Sequence, residues 1–269
     1  MKPEQLKEIR QWFAGYVQTF ANHDGHGSSY QLKIEHSQRV AQEMRRLAQA
    51  INGLMVDVNM AEAIGWLHDI GRFSQFQEFG TFHDAQSINH GERGRQILKQ
   101  LEILSALSPD EQHCMFDAVQ YHNTKTLPAH LENPSLPWVK LIRDADKLDI
   151  FHIVHESLVR DGFQDLPKML PQVKLDGPIN PIIINQINHD HTCSINEVKS
   201  LTDFLLLQLS WVYDINYVPT FQQIAHRHIV TNLSEHLPLN DSAINNLLQE
   251  AKHYVGQRAS HTKIVLEGN

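Results

Sequence analysis

Six polar side chains of this sequence fall on otherwise apolar helical stripes: His36, His68, Asp69, His90, His122 and Asp146. Two of them stand side by side in Trp66-Leu67-His68-Asp69-Ile70-Gly71-Arg72, at the end of an apolar stretch and before a glycine expected to stop the helix. One buried histidine is explained by one hydrogen bond. Burying four imidazoles and two carboxylates together is a different matter, because each uncompensated charge is costly away from water and the usual remedies are pairing or metal coordination. A divalent cation removes that cost. Mixed imidazole nitrogen and carboxylate oxygen suit Mn, Fe, Co, Ni or Zn, whereas Mg and Ca prefer oxygen alone.

The elements that must position these residues are helical. Leu6, Ile9, Trp12, Phe13, Tyr16, Val17 and Phe20 recur at three- and four-residue steps and predict an amphipathic helix over 4–20. A loop is expected over Asn22–Ser28, with His23 and His26 in it. A second helix is expected from about Tyr30 to Ile51, with Leu32, Val40, Met44, Leu47 and Ile51 on the face of His36. A third runs from about Asn59 to Ile70, where Met60 and Ile64 line up with His68. Phe73–Ser87 reads as a packed lid or short helical turns. Gly94, Ile97, Leu101 and Leu104 share a face with His90 in a helix ending before Ser108, and Pro109 suits the first turn of the next, which reaches His122. Asn123–Pro137 is a loop. From about Leu136 to Val159, Val139, Ile142 and Ile150 place Asp146 among core residues. Residues 161–193 carry Pro167, Pro171, Pro178 and Pro181 and read as a loop excursion or short strand pair. Helices resume at about Ile195–Tyr217, Thr220–Ser234 and Ala243–Gln257. The fold class expected is all-α.

Composition narrows the function. At 269 residues, 41% hydrophobic and 20% charged, the chain can bury a sizeable core. A formal net charge of -8 argues against nucleic-acid polymers and membrane surfaces as partners. Two cysteines give no disulfide framework, Met1-Lys2-Pro3-Glu4 lacks a signal-peptide core, and no run approaches the roughly 20 apolar residues of a membrane span. A cytoplasmic location follows as the expectation. The 18 histidines, against 23 Lys and Arg together, favour metal binding.

The order His36, His68-Asp69, then Asp146 in Arg143-Asp144-Ala145-Asp146-Lys147-Leu148 resembles the H…HD…D signature of the HD-domain metal-dependent phosphohydrolases. His90 in Asn89-His90-Gly91-Glu92 and His122 in Tyr121-His122-Asn123 resemble the extra histidines of the dinuclear branch. The resemblance implies an HD-domain helical bundle with additional C-terminal helices, in one domain over 1–269. Its metal-binding core would lie at about 30–160, with a helical extension at about 194–260 packed on it. It also implies two divalent transition ions. His36, His68, Asp69 and Asp146 would hold the first, and Asp69 would bridge to a second held by His90 and His122. Asp146 is preferred to Asp144 because the Asp-x-Leu ending is a family feature and because it shares the stripe of Val139, Ile142 and Ile150. Asp144 and Asp149 are expected to support ligands or pair helices. The chain departs from the cyclic-di-GMP-cleaving branch, with Asn123 and Thr124 where that branch has a further histidine and a Gly-Tyr-Pro element. It also lacks the paired synthetase domain of the alarmone hydrolases.

Such an arrangement implies hydrolysis of a phosphomonoester or phosphodiester, of a nucleotide or related small metabolite. Paired cations lower the pKa of a shared water from 15.7 toward about 7, and the hydroxide attacks phosphorus. Arg72 is the first candidate for phosphate contact, followed by Lys147 and Arg143, with His83 as a further substrate contact from the His83-Asp84 pair. Arg93 and Arg95 are expected to face solvent. An HD-fold di-iron oxygenase, acting on a small polar or phosphonate-type metabolite, would use a similar ligand set. A non-catalytic module would have lost ligands that are all present here. Asp69→Ala should abolish both metal retention and turnover. His191→Ala, in the metal-like but unpartnered His189-Asp190-His191, should leave both intact. Elemental analysis and activity assay of the two variants check this.

Overall fold

The structure is a computed structural model that describes residues 1–21, 27–51 and 57–260. His23, His26 and most of the loop expected around them lie outside the described residues. The regular elements of the described residues are all helices, and β-pairing among them is confined to an isolated parallel bridge between Lys174 and Ser200. None of the described helices is long and apolar enough to cross a membrane. The chain forms two compact units, Met1–Asp149 and Ile150–Asn269.

The first unit contains α1 (Pro3–Ala21), α2 (Gly27–Ala50), α3 (Val58–Leu67), α4 (Gly71–Phe79), α5 (His90–Leu98), α6 (Pro109–Tyr121) and α7 (Ser135–Asp161) as far as Asp149. Its core is the set of stripes expected from periodicity: Ile9, Phe13 and Val17 of α1, Val40, Met44 and Leu47 of α2, Met60 and Ile64 of α3, and Met115, Ala118 and Val119 of α6. Leu32 is an exception at 41% exposed, so the apolar face of α2 begins later than expected. The helix starts are chemically marked. The Asp57 carboxylate accepts from the Asn59 and Met60 amides, and Ser108 and Glu111 form a reciprocal capping box at Pro109.

Gly71 does not stop a helix. The chain turns through His68–Ile70, and Gly71 opens α4. A Cβ at this position would lie 2.1 Å from the His90 carbonyl oxygen and 2.8 Å from the Gly94 nitrogen. The glycine is there because α4 and α5 meet backbone to backbone. The aromatic stretch after it takes the second of its two expected forms, short helical turns: helix α4 and a 3₁₀ turn at Asp84–Gln86. Phe73 is fully buried, with its ring centroid 5.9 Å from those of Phe13 and Phe20 and 6.2 Å from that of Tyr30. Phe76 stacks on Phe82 at 4.5 Å. The helix of His90 ends at Leu98, earlier than expected, because the Gln100 and Leu101 amides bond to Ile97 and Leu98 and tighten the chain into 3₁₀ geometry.

The second unit contains the remainder of α7, then α8 (Leu166–Met169), α9 (Pro181–Asp190), α10 (Leu201–Ser210), α11 (Val218–His226), α12 (Ile229–Ser234) and α13 (Ser242–Ala259). The strand pair considered for 161–193 is absent among the described residues, and Pro181-Ile182-Ile183-Ile184 is the first turn of a helix. Asn180 accepts from the Ile182 amide, Pro181 sits at the first helical position, and Ile183 and Ile187 are buried while Ile182 is 46% exposed. An i, i+4 pattern was hidden inside a run of isoleucines. The segment expected as one helix over Thr220–Ser234 is two, because His228 takes a left-handed φ of 55° that an α-helix does not accommodate. His191, at φ 54°, ends α9 and stacks on Tyr213.

The helices α2 and α3 approach most closely at Gly65, where a Cβ would lie 2.5 Å from the Ala41 Cα and 2.8 Å from its nitrogen. Neither helix backbone can yield without moving a ligand-bearing element. Gly65→Ala should therefore cost about 1–3 kcal/mol by overpacking, read as a lowered denaturation midpoint.

Candidate metal centre

The site is assembled by helix ends. His68 directly follows α3, and its Nδ1 donates to the Gly65 carbonyl at 2.8 Å, satisfying an acceptor that the helix terminus leaves open. His122 follows α6 in the same way, with Nδ1 donating to the Val119 carbonyl at 2.8 Å. His90 is the first residue of α5, and its Nδ1 faces the Asp84 carboxylate at 2.7 Å. His36 lies within α2, with Nδ1 2.6 Å from Asp149 Oδ2. All four rings are buried.

This pattern assigns the tautomers. Each Nδ1 meets an oxygen acceptor and so carries the proton, which leaves each neutral ring with a bare Nε2 lone pair. Those lone pairs face one another: His36 and His68 at 3.2 Å Nε2 to Nε2, His90 and His122 at 3.0 Å. Two bare acceptors at that distance repel unless a positive species stands with them. Two carboxylates complete the arrangement. Asp146 Oδ1 lies 3.1 Å from His36 Nε2 and 3.7 Å from His68 Nε2. Asp69 turns one oxygen to each pair of rings, Oδ1 toward His90 (3.3 Å) and His122 (3.6 Å), Oδ2 toward His36 (3.6 Å) and His68 (3.9 Å).

The donor atoms of His36, His68 and Asp146 all lie within 4.8 Å of one another, as do those of His68, Asp69 and His122. Two ligands about 2.0–2.1 Å from one ion stand roughly 3.0–3.4 Å apart at tetrahedral or octahedral angles, near the 3.2 and 3.1 Å that separate His36 Nε2 from His68 and Asp146; the second group shares His68 with the first, and His90 belongs to neither. The supporting contacts fit as well, since a carboxylate or carbonyl on the far nitrogen of a metal-binding histidine fixes its tautomer and raises its basicity.

The electrostatics differ between the two ends. Burial works against charging His36, but the Asp146 and Asp149 carboxylates outweigh it and raise its pKa. At His122 burial wins over the nearby Asp69 and, together with His90 and His68, pushes the pKa down to about 4. The His122 lone pair is thus free at neutral pH, while His36 sits among excess negative charge that calls for a cation. Asp69 and Asp146 resist burial's upward push and are held well below the ordinary carboxylate range, Asp69 chiefly by Lys33 and His68, Asp146 by His36 and His68.

The other candidate site residues are placed less uniformly. Arg72 is tied down: its Nη1 donates to Gln75 Oε1 at 3.0 Å, to Asp84 Oδ1 at 2.7 Å and to the Phe82 carbonyl, and its Nε lies 3.5 Å from Asp69 Oδ1. Arg143 is buried and donates to the carbonyls of His122 and Thr124, so it braces a ligand-bearing helix end. Lys147 Nζ lies 3.5 Å from the Arg143 carbonyl. The His83 ring leaves a buried Nδ1 with no hydrogen-bond partner among the described residues. Asp144 is fully buried, and Asp146 is the one beside His36. Arg93 and Arg95 are not simply solvent-facing, since they pair with Glu78 and Asp117.

Two residues were not picked out from the sequence for the roles they take. Asp84 accepts from His90, Arg72, Gln75 and Asn123 and is the hub behind the second pair of rings. Its signal was the odd second His-Asp pair six residues before His90. Lys33 donates to Asp69 Oδ2 at 2.8 Å, and its signal was its place one turn before His36 on the same helix face.

Residues 34–150 match the model of the HD domain family. The matched segment is thus similar to the HD domain, an all-α fold whose superfamily is made up largely of metal-dependent hydrolases that bind divalent ions, and the six residues described lie within it. No curated protein and no solved structure matches the chain significantly.

Asp84→Asn should keep a hydrogen-bond partner for His90 but lose the carboxylate that strengthens its donor nitrogen. Affinity for a transition ion should fall about 10- to 100-fold, measured by competition against a chelator.

Proposed function

We propose that this protein is a metal-dependent phosphohydrolase that cleaves a phosphomonoester or phosphodiester of a nucleotide or related small metabolite. The observation that carries this reading is the pair of facing Nε2 groups with Asp69 turned to both. His36, His68 and Asp146 would hold one divalent transition ion, His90 and His122 a second, with Asp69 shared between them. Bound there, the ions supply the Lewis acidity that activates water and polarises a phosphoryl group.

The chain's own residues supply orientation. Asp84, Asp149 and the carbonyls of Gly65 and Val119 hold the rings with Nε2 inward before any ligand arrives, so the centre needs little rearrangement. Arg72 and Arg143 brace the segments that carry Asp84 and His122. A net charge of -8 leaves the centre itself to attract an anionic substrate and favours a small molecule over a nucleic-acid polymer.

The test is a screen of phosphorylated metabolites with protein stripped of metal and reloaded with Mn, Co or Ni. Metal-dependent phosphate release is expected, and it should vanish in Asp146→Ala. Iron-dependent oxygen uptake without phosphate release would replace the hydrolase by the di-iron oxygenase.

A further inference from the structure

Several basic side chains stand near the centre, and their partners separate them. Arg72 Nη1 is held by Asp84, Gln75 and the Phe82 carbonyl and Arg143 Nη1 by two backbone carbonyls, while Arg72 Nε, 3.5 Å from Asp69 Oδ1, makes no hydrogen bond among the described residues. Moving either would unseat the segment it braces. Lys33 is different. Its side chain is 17% exposed, and its ammonium makes one hydrogen bond among the described residues, to Asp69 Oδ2, which leaves two N–H groups for another acceptor. The same ammonium lies 5.5 Å from the centroid of the Phe82 ring, a cation–π contact that aims it without occupying its protons. Phe82 is in turn located by the Arg72 bond to its carbonyl.

The partner of Lys33 is what makes this informative. Asp69 is the carboxylate turned to both pairs of rings, so its lone pairs are the ones that divalent charge would claim. With that charge in place, an ammonium 2.8 Å from the carboxylate faces like charge and gains only from an added anion. Resting on the phosphohydrolase reading, we propose that Lys33 hydrogen-bonds a phosphoryl oxygen of the bound substrate, steered by the ring of Phe82. Lys33 thus joins Arg72, the first candidate for phosphate contact from its sequence position, and Arg72 also places the steering ring through the Phe82 carbonyl.

The experiment uses the full chain loaded with manganese and inorganic phosphate as the probe, with calorimetry for affinity and elemental analysis for metal content. Losing a charge-assisted hydrogen bond should weaken phosphate binding by Lys33→Met about 10- to 100-fold at unchanged metal content, while Lys33→Arg keeps most of the affinity. Unchanged phosphate affinity in Lys33→Met would overturn the proposal. So would loss of manganese from Lys33→Met at saturating metal, which would mean that the ammonium serves only to hold Asp69. Wild-type protein that binds phosphate through Lys33 but hydrolyses no phosphorylated metabolite would sink the hydrolase reading and leave this contact standing.

Discussion

Everything in the first unit bears on one electrostatic problem, which is how to hold four imidazole lone pairs and two carboxylates close together in a nearly dry interior. Each ring is buried, and each pair of Nε2 atoms stands close enough to repel. Such a cluster persists in a folded protein only when its outer atoms are fully satisfied and its inner atoms have positive charge to share. The outer requirement is met by residues of the chain: two backbone carbonyls and two carboxylates, one for each Nδ1. The inner requirement is the one that the proposed cations would meet.

The solution reuses a single device. His68 and His122 each follow an apolar helix and each cap the carbonyl three residues back, so the terminus that needs an acceptor satisfied also fixes a ring. The carboxylate-backed rings, His36 and His90, enter from the body of one helix and the start of another. Each pair thus combines one carbonyl-backed ring with one carboxylate-backed ring. The two ends still differ electrically, because His36 has Asp146 and Asp149 beside it while His122 is governed by burial. Close backbone approach is the condition for this convergence. Gly65 lets α3 reach α2, and Gly71 lets α4 reach α5, so the ring-bearing ends arrive within a few ångströms of one another.

Much of this was legible in the residues. The histidines and aspartates stood on apolar stripes, and burial at periodic positions is a local property of the sequence. Ser108-Pro109 before α6 also announced its helix start, through a hydroxyl and a residue without an amide hydrogen to lose. Elsewhere local pattern was ambiguous. A run of isoleucines after Pro181 reads equally as strand or helix until Asn180 caps it, and nothing short-range marks His228 as the residue that turns left-handed. Leu32 is apolar and on the right face of α2 but near its end, where the fold leaves it uncovered.

The sequence by itself determined the helical class of the fold, the chemistry of the donor set and the order in which the donors come. These depend on residue type and spacing, which act over a turn or two of chain. Only the tertiary structure decided which carboxylate stands behind which ring, and which basic side chains stand beside Asp69. Asp84 and Asp149 reach His90 and His36 from different parts of the chain, across 6 and 113 residues. Arg72, three residues after Asp69, binds Asp84 and the Phe82 carbonyl through Nη1, while Lys33, far from Asp69 in sequence, donates to it. Hydrogen bonds form between groups the fold brings within about 3 Å, and separation along the chain places no limit on which groups those are.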